Sequence, residues 1–164
     1  MFKYLLQGRF MRHPLHPLLV HLPVGLWIGS LIFDIIFLAS GNANLAIASY
    51  YSMLIGIIAV ALAAPTGLAD YVTIPANTRP KRLATTHMIM NVGITVLYLI
   101  NLIVRRSAEG GVPTFVTTGQ FIFSIICVVL LGISGYLGGL LVYNYGVGYR
   151  KPSETDFGEG RRAA

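Results

Sequence analysis

The sequence holds 164 residues, of which 55% are hydrophobic and only 11% charged, with a formal net charge of +6. A mean hydropathy of +0.70 and a charged share less than half the usual one exclude an ordinary soluble domain. The charges fall almost wholly outside four apolar runs, so the positive balance speaks for membrane orientation rather than nucleic acid; the single Cys127 excludes an intramolecular disulfide, a thiolate zinc site and c-type haem attachment.

The N-terminal stretch Met1–Met11 mixes apolar residues with Lys3 and Arg9, which suits either a short interfacial helix or a frayed basic arm. Three of the four histidines, His13, His16 and His21, follow within nine residues. Pro14 and Pro17 push the residues before them out of the α region, which places His13 and His16 in an extended lead-in and His21 one turn inside a helix opened by Pro17. The four apolar runs cover about 17–39, 45–68, 83–104 and 119–143. Each is long enough for a hydrocarbon core of ~30 Å. The expected fold is therefore all-α, an integral membrane bundle of four transmembrane helices over 17–148, between a basic arm (1–16) and a flexible tail (149–164). The first run is longer than a signal-peptide core and carries Asp34, so it reads as a retained span.

Along the first helix the His21 face continues through Gly25, Ile28, Gly29 and Ile32. Its Gly25-x-x-x-Gly29 pattern permits close approach of another helix or of a flat ligand. Asp34 lies ~24 Å along this helix, near its outer end, where either a structural or a functional role is open. The second helix carries an inward stripe of small residues, Ser52, Gly56, Ala59, Ala63 and Thr66, and Pro65 breaks or kinks its end. Asp70 follows at the boundary, as a cap, a partner for Arg79 or Arg82, or a carboxylate orienting a histidine. The third helix presents His87, Asn91, Ile94, Tyr98 and Asn101 on one face, polar groups too costly to turn to lipid. The fourth ends in a glycine-rich segment with Gly135-x-x-x-Gly139.

Ten of the twelve Lys and Arg residues lie in the arm, the second loop and the tail, and only Arg105 and Arg106 in the outer loops. The positive-inside rule then places both termini in the cytoplasm. His21 and His87 each stand about 5–6 Å in from the start of parallel helices, so their imidazoles are expected to meet near the cytoplasmic face. Three readings follow. The pair ligates b-type haem, with Gly25, Gly29, Gly135 and Gly139 giving room and His13, His16 and Asp70 as supporting contacts. Alternatively His16, His21 and His87 hold a metal ion. Proton handling goes with that metal reading; in the third the histidines hydrogen-bond one another, Asp70 or backbone freed by Pro23 and serve packing alone. Spacing does not choose among them.

The motifs His13-Pro-Leu-His16-Pro, Val20-His21-Leu-Pro23-x-Gly25, Thr66-Gly67-Leu-Ala-Asp70-Tyr71 and Ser134-Gly135-Tyr-Leu-Gly138-Gly139 through Gly148 resemble a bacterial membrane family called domain of unknown function 2231. The resemblance spans about Arg12 to Gly148. It implies a multi-pass protein of the bacterial inner membrane. Relatives fused or adjacent to Rieske iron–sulfur and cytochrome modules imply an electron-transfer setting with a separate redox partner. The leading expectation is thus a small haem b electron-transfer subunit; the alternatives are a structural or assembly subunit, homo- or hetero-oligomeric, and a metal-binding protein. No nucleophile–base pair, phosphate loop or paired carboxylates point to an enzyme.

Overall fold

Each apolar run becomes one helix because a chain in lipid must satisfy its backbone internally. In the computed structural model, which describes residues 5–8 and 14–148, these are α1 (Leu15–Ser40), α2 (Ala43–Tyr71), α3 (Arg79–Glu109) and α4 (Thr118–Tyr145). All four are long and apolar enough to cross a membrane, and the described residues contain no strand.

The helix ends follow local chemistry. Gly41 closes α1 at φ 69°, a left-handed conformation that glycine adopts without a Cβ clash, and its N–H reaches the Phe37 carbonyl at 2.7 Å. Asn42 then caps α2 by accepting from Asn44 N–H at 3.0 Å, so two residues suffice for the turn. A capping box opens α4: Gln120 N–H donates to Thr117 Oγ1 at 3.3 Å and Thr117 N–H to Gln120 Oε1 at 2.9 Å.

Pro17 acts differently from the sequence expectation, and at Pro65 the break, one of the two outcomes expected, does not occur. Pro14 is extended, but α1 begins at Leu15, so His16 is helical rather than part of an extended lead-in. Pro17 then falls in the first turn, where a missing N–H costs nothing. Pro65 lies inside α2, which continues to Tyr71 instead of breaking.

Neighbouring helices pack in the ring order α1–α2–α3–α4, which sets α1 and α3 on one diagonal. The core joins Trp27, Tyr50, Met53, Tyr98, Leu102, Cys127 and Leu131. Leu22, Ile32, Ile58, Ile89, Val92, Ile103 and Val129 are exposed, the outward apolar surface that a bilayer requires. The chain is an all-α four-helix membrane bundle.

Candidate functional site

The buried stripe of α1 is Pro23, Trp27, Ser30 and Asp34. At 100° per residue His16 falls on this stripe, while His21, two residues before Pro23, points to the far side of the helix. His21 is accordingly exposed, as is Gly25, and no atom beyond the helix itself lies within 4 Å of where a Cβ on Gly25, Gly29 or Gly135 would stand. A Cβ on Gly139 would meet only Tyr143 of its own helix, at 4.0 Å. The expected pocket between His21 and His87, walled by these four glycines, is not formed. The small-residue face of α1 looks outward.

Instead the bundle brings His16, near the start of α1, and His87, near the start of the parallel α3, to the same end. His16 Nδ1 lies 3.2 Å from both the Ala63 carbonyl and Thr66 Oγ1 on α2. Since a carbonyl only accepts, Nδ1 carries the proton and Nε2 is the basic nitrogen. Gly67 makes room for this ring; a Cβ there would come within 2.6 Å of His16 Cε1. His87 repeats the arrangement against α4. Its Nδ1 donates to the Ser134 carbonyl at 2.8 Å, with Ser134 Oγ at 3.2 Å, and a Cβ on Gly138 would stand 3.0 Å from its Cε1. The tautomer so fixed leaves Nε2 as acceptor, and Asn91 Nδ2 donates to it at 3.1 Å. Each imidazole thereby clamps one helix to its neighbour.

The Asp70 carboxylate stands beside Gly148, where a Cβ would be 3.1 Å from Oδ2. His13 lies outside the described residues. Among the described residues no three His, Cys, Asp or Glu side chains converge as metal ligands, so the trio His16, His21 and His87 is not assembled; the outward turn of His21 is the reason.

The opposite end holds a constellation that sequence reasoning missed. Arg105, counted with the outer loop, lies inside α3 and is 0% exposed, as is Asp34. The guanidinium meets the carboxylate through two bonds, Nη1 to Oδ1 at 2.9 Å and Nη2 to Oδ2 at 2.5 Å, the bidentate geometry that suits this pair. Its remaining donors reach Asn101 Oδ1 at 3.1 Å, Ser49 Oγ at 3.2 Å and Ser124 Oγ at 3.0 Å. Ser124 in turn donates to Asp34 Oδ2 at 3.0 Å. All four helices enter this network. Among the described residues no buried side-chain N or O lacks a partner, which is what makes two buried charges tolerable. The signal was present: an Asp inside a span calls for a countercharge, and Arg105 sits four residues beyond Asn101 on the polar stripe of α3.

Between the two ends, Trp27 stacks on Tyr98 across the α1–α3 diagonal, with ring centroids 4.1 Å apart and planes 12° apart. Trp27 Nε1 donates to the Met53 carbonyl at 3.3 Å. The ring lies directly over Gly56 of α2.

The family model for predicted membrane proteins of the DUF2231 type matches residues 12–151. No curated protein and no solved structure gives a significant match.

Proposed function

The chain belongs to the DUF2231 family of predicted membrane proteins, and from that premise we propose that it is a structural or assembly subunit of a membrane complex. The observation that carries this reading is the Arg105 network. It consumes the interior charges of the bundle in bonds among all four helices and so fixes one arrangement of the rods. His16 and His87 add a clamp at the other end. The outward Gly25 and Gly29 of α1 and Gly135 of α4 leave open space at their surface, which permits close approach of a partner's helices. From the bias of Lys and Arg we infer that the termini lie on the cytoplasmic side, and from the family resemblance that the membrane is a bacterial inner one.

A second reading is favoured by one observation. His16 and His87 both hold Nδ1–H on a backbone carbonyl, the arrangement that orients an imidazole for ligation through Nε2. Two imidazoles are the number that bis-histidine b-type haem takes, and the haem would supply one-electron transfer to a cytochrome or Rieske partner. In this reading His16 replaces His21 as ligand, and the Asn91 amide turns away from His87.

One preparation tests both. A Gly25→Cys variant is cross-linked in native membranes; the native Cys127 is buried and does not compete. The same membranes yield purified protein for absorption spectroscopy and metal analysis. The structural reading expects a cross-linked species of higher mass, no Soret band after haem supplementation, and a His16→Gln/His87→Gln variant that remains folded. A Soret band lost in that variant and kept in His21→Gln overturns it in favour of haem. A chain that neither cross-links nor binds haem refutes both.

A further inference from the structure

The contacts across the bundle share one arithmetic. Asp34 and Arg105 are 71 residues apart, as are Trp27 and Tyr98, whose hydroxyl donates to the Trp27 carbonyl at 3.4 Å. The histidine clamps share another: His16 to Ala63 and His87 to Ser134 both span 47 residues. A shift of 71 therefore carries His16 onto His87 and Ala63 onto Ser134. It also carries the glycine under one imidazole, Gly67, onto the glycine under the other, Gly138.

Burial follows the same shift. The buried positions of α1, Pro23, Trp27, Ser30 and Asp34, map onto Ile94, Tyr98, Asn101 and Arg105, and all four of these are buried too. On the second helix of each hairpin, Met53 and Gly56 map onto Ser124 and Cys127, again buried in both. The shift holds without insertion or deletion from His16 to Gly67, through a two-residue turn in one half and a longer loop in the other.

Because α1 and α3 run the same way, the operation relating the hairpins is a two-fold along the bundle axis. Residues that are equivalent under a two-fold and also touch each other must lie on it. Trp27 with Tyr98, and Asp34 with Arg105, meet that condition at two depths. Hence we infer that the chain is two structurally equivalent helix hairpins in tandem, and that the on-axis Asp34–Arg105 pair favours their unlike association. Two copies of the first hairpin would bury Asp34 against Asp34, and two of the second Arg105 against Arg105. A buried like-charge pair with no counterion is strongly disfavoured, and two aspartates would meet only by holding a proton between them, so each hairpin prefers the other as partner to a copy of itself.

The test uses the full-length protein. A protease site is inserted between Gly110 and Gly111, and the purified, folded protein is cut there. The two fragments are expected to stay together as one particle on size-exclusion chromatography, with Trp27 emission unchanged. In uncut protein, Asp34→Arg and Arg105→Asp each lower the yield of folded bundle by about tenfold or more. The double exchange Asp34→Arg/Arg105→Asp restores the ion pair and recovers part of that yield; recovery is incomplete, because the shift puts Ser30, Gln120 and Met53 where Asn101, Ser49 and Ser124 now accept from Arg105. Fragments that separate after cutting would show that the two hairpins do not hold each other as partners. A double exchange no better than the single variants would show that the pair does not lie on an axis. Either result overturns the inference.

Discussion

Replacing Gly56 by alanine is expected to displace the only tryptophan of the chain. The added methyl would sit 2.5 Å from Trp27 Cδ1 and closer still to Nε1, whereas carbon atoms at rest stand about 3.5–4.0 Å apart. The indole must therefore retreat by roughly 1 Å. It has nowhere free to go: it is 2% exposed, stacked on Tyr98 and bonded to the Met53 carbonyl. Overpacking of this kind costs about 1–3 kcal/mol. Loss of the ring pair adds about 0.5–1.5 kcal/mol and of the hydrogen bond about 1 kcal/mol. These terms overlap, so we expect roughly 2–4 kcal/mol, set against the few tenths to 1 kcal/mol by which alanine favours a helix over glycine. Unfolding in mixed micelles reads the stability, and Trp27 emission reads the displacement directly. Gly132→Ala, where the methyl meets open space, is the matched control and should be neutral or slightly stabilising. If Gly56→Ala unfolds like wild type with unshifted emission, the indole does not pack over α2 as described.

Arg105→Met should cost about 3–5 kcal/mol, because it strands the Asp34 carboxylate in the core, while Asp34→Leu/Arg105→Met should cost less than the single change; strict additivity in a double-mutant cycle would contradict the pairing. Raising salt to about 1 M should leave the Asp34–Arg105 coupling energy unchanged, since both groups are fully buried and ions screen only what they can approach; a coupling that fades with salt places the pair in water. Gly67→Ala should lower the melting temperature more than Gly138→Ala, as its methyl would meet His16 at 2.6 Å against 3.0 Å for His87; no loss in either variant would mean that neither ring rests on its glycine. Thr117→Ala removes one half of the α4 capping box and should cost about 1 kcal/mol, with hydrogen exchange accelerated in the first turn of α4 and not elsewhere.

The number of helices was legible because length and hydropathy alone decide what can cross a bilayer. So was the inward face of α3, where Asn91, Tyr98 and Asn101 cannot be turned to lipid cheaply. The rotation of α1 was not read correctly. Gly25 and Gly29 suggest the inner side because glycines allow close packing, yet glycine is tolerated on either face of a membrane helix. Trp27, Ser30 and Asp34 carry polar atoms that lipid cannot satisfy, so they fix the inner side and carry His21 outward. Arg105 is hidden from the sequence for a related reason: ending the span at the first arginine treats charge as a boundary marker.

In a bundle whose surroundings are as apolar as its core, hydrophobicity does not distinguish inside from outside, and unsatisfied polar atoms do. That is why the informative residues are those a soluble-protein reading would assign to the surface. Asp34 alone in a span is a debt of charge that some other helix must settle, and only a cation at matching depth can do so. Arg105 lies 71 residues on, at the depth that Asp34 occupies in the first hairpin. The same shift carries His16 to His87, and because the sequence between them shares little beyond apolar character, the repeat shows first in the contacts and only then in the letters.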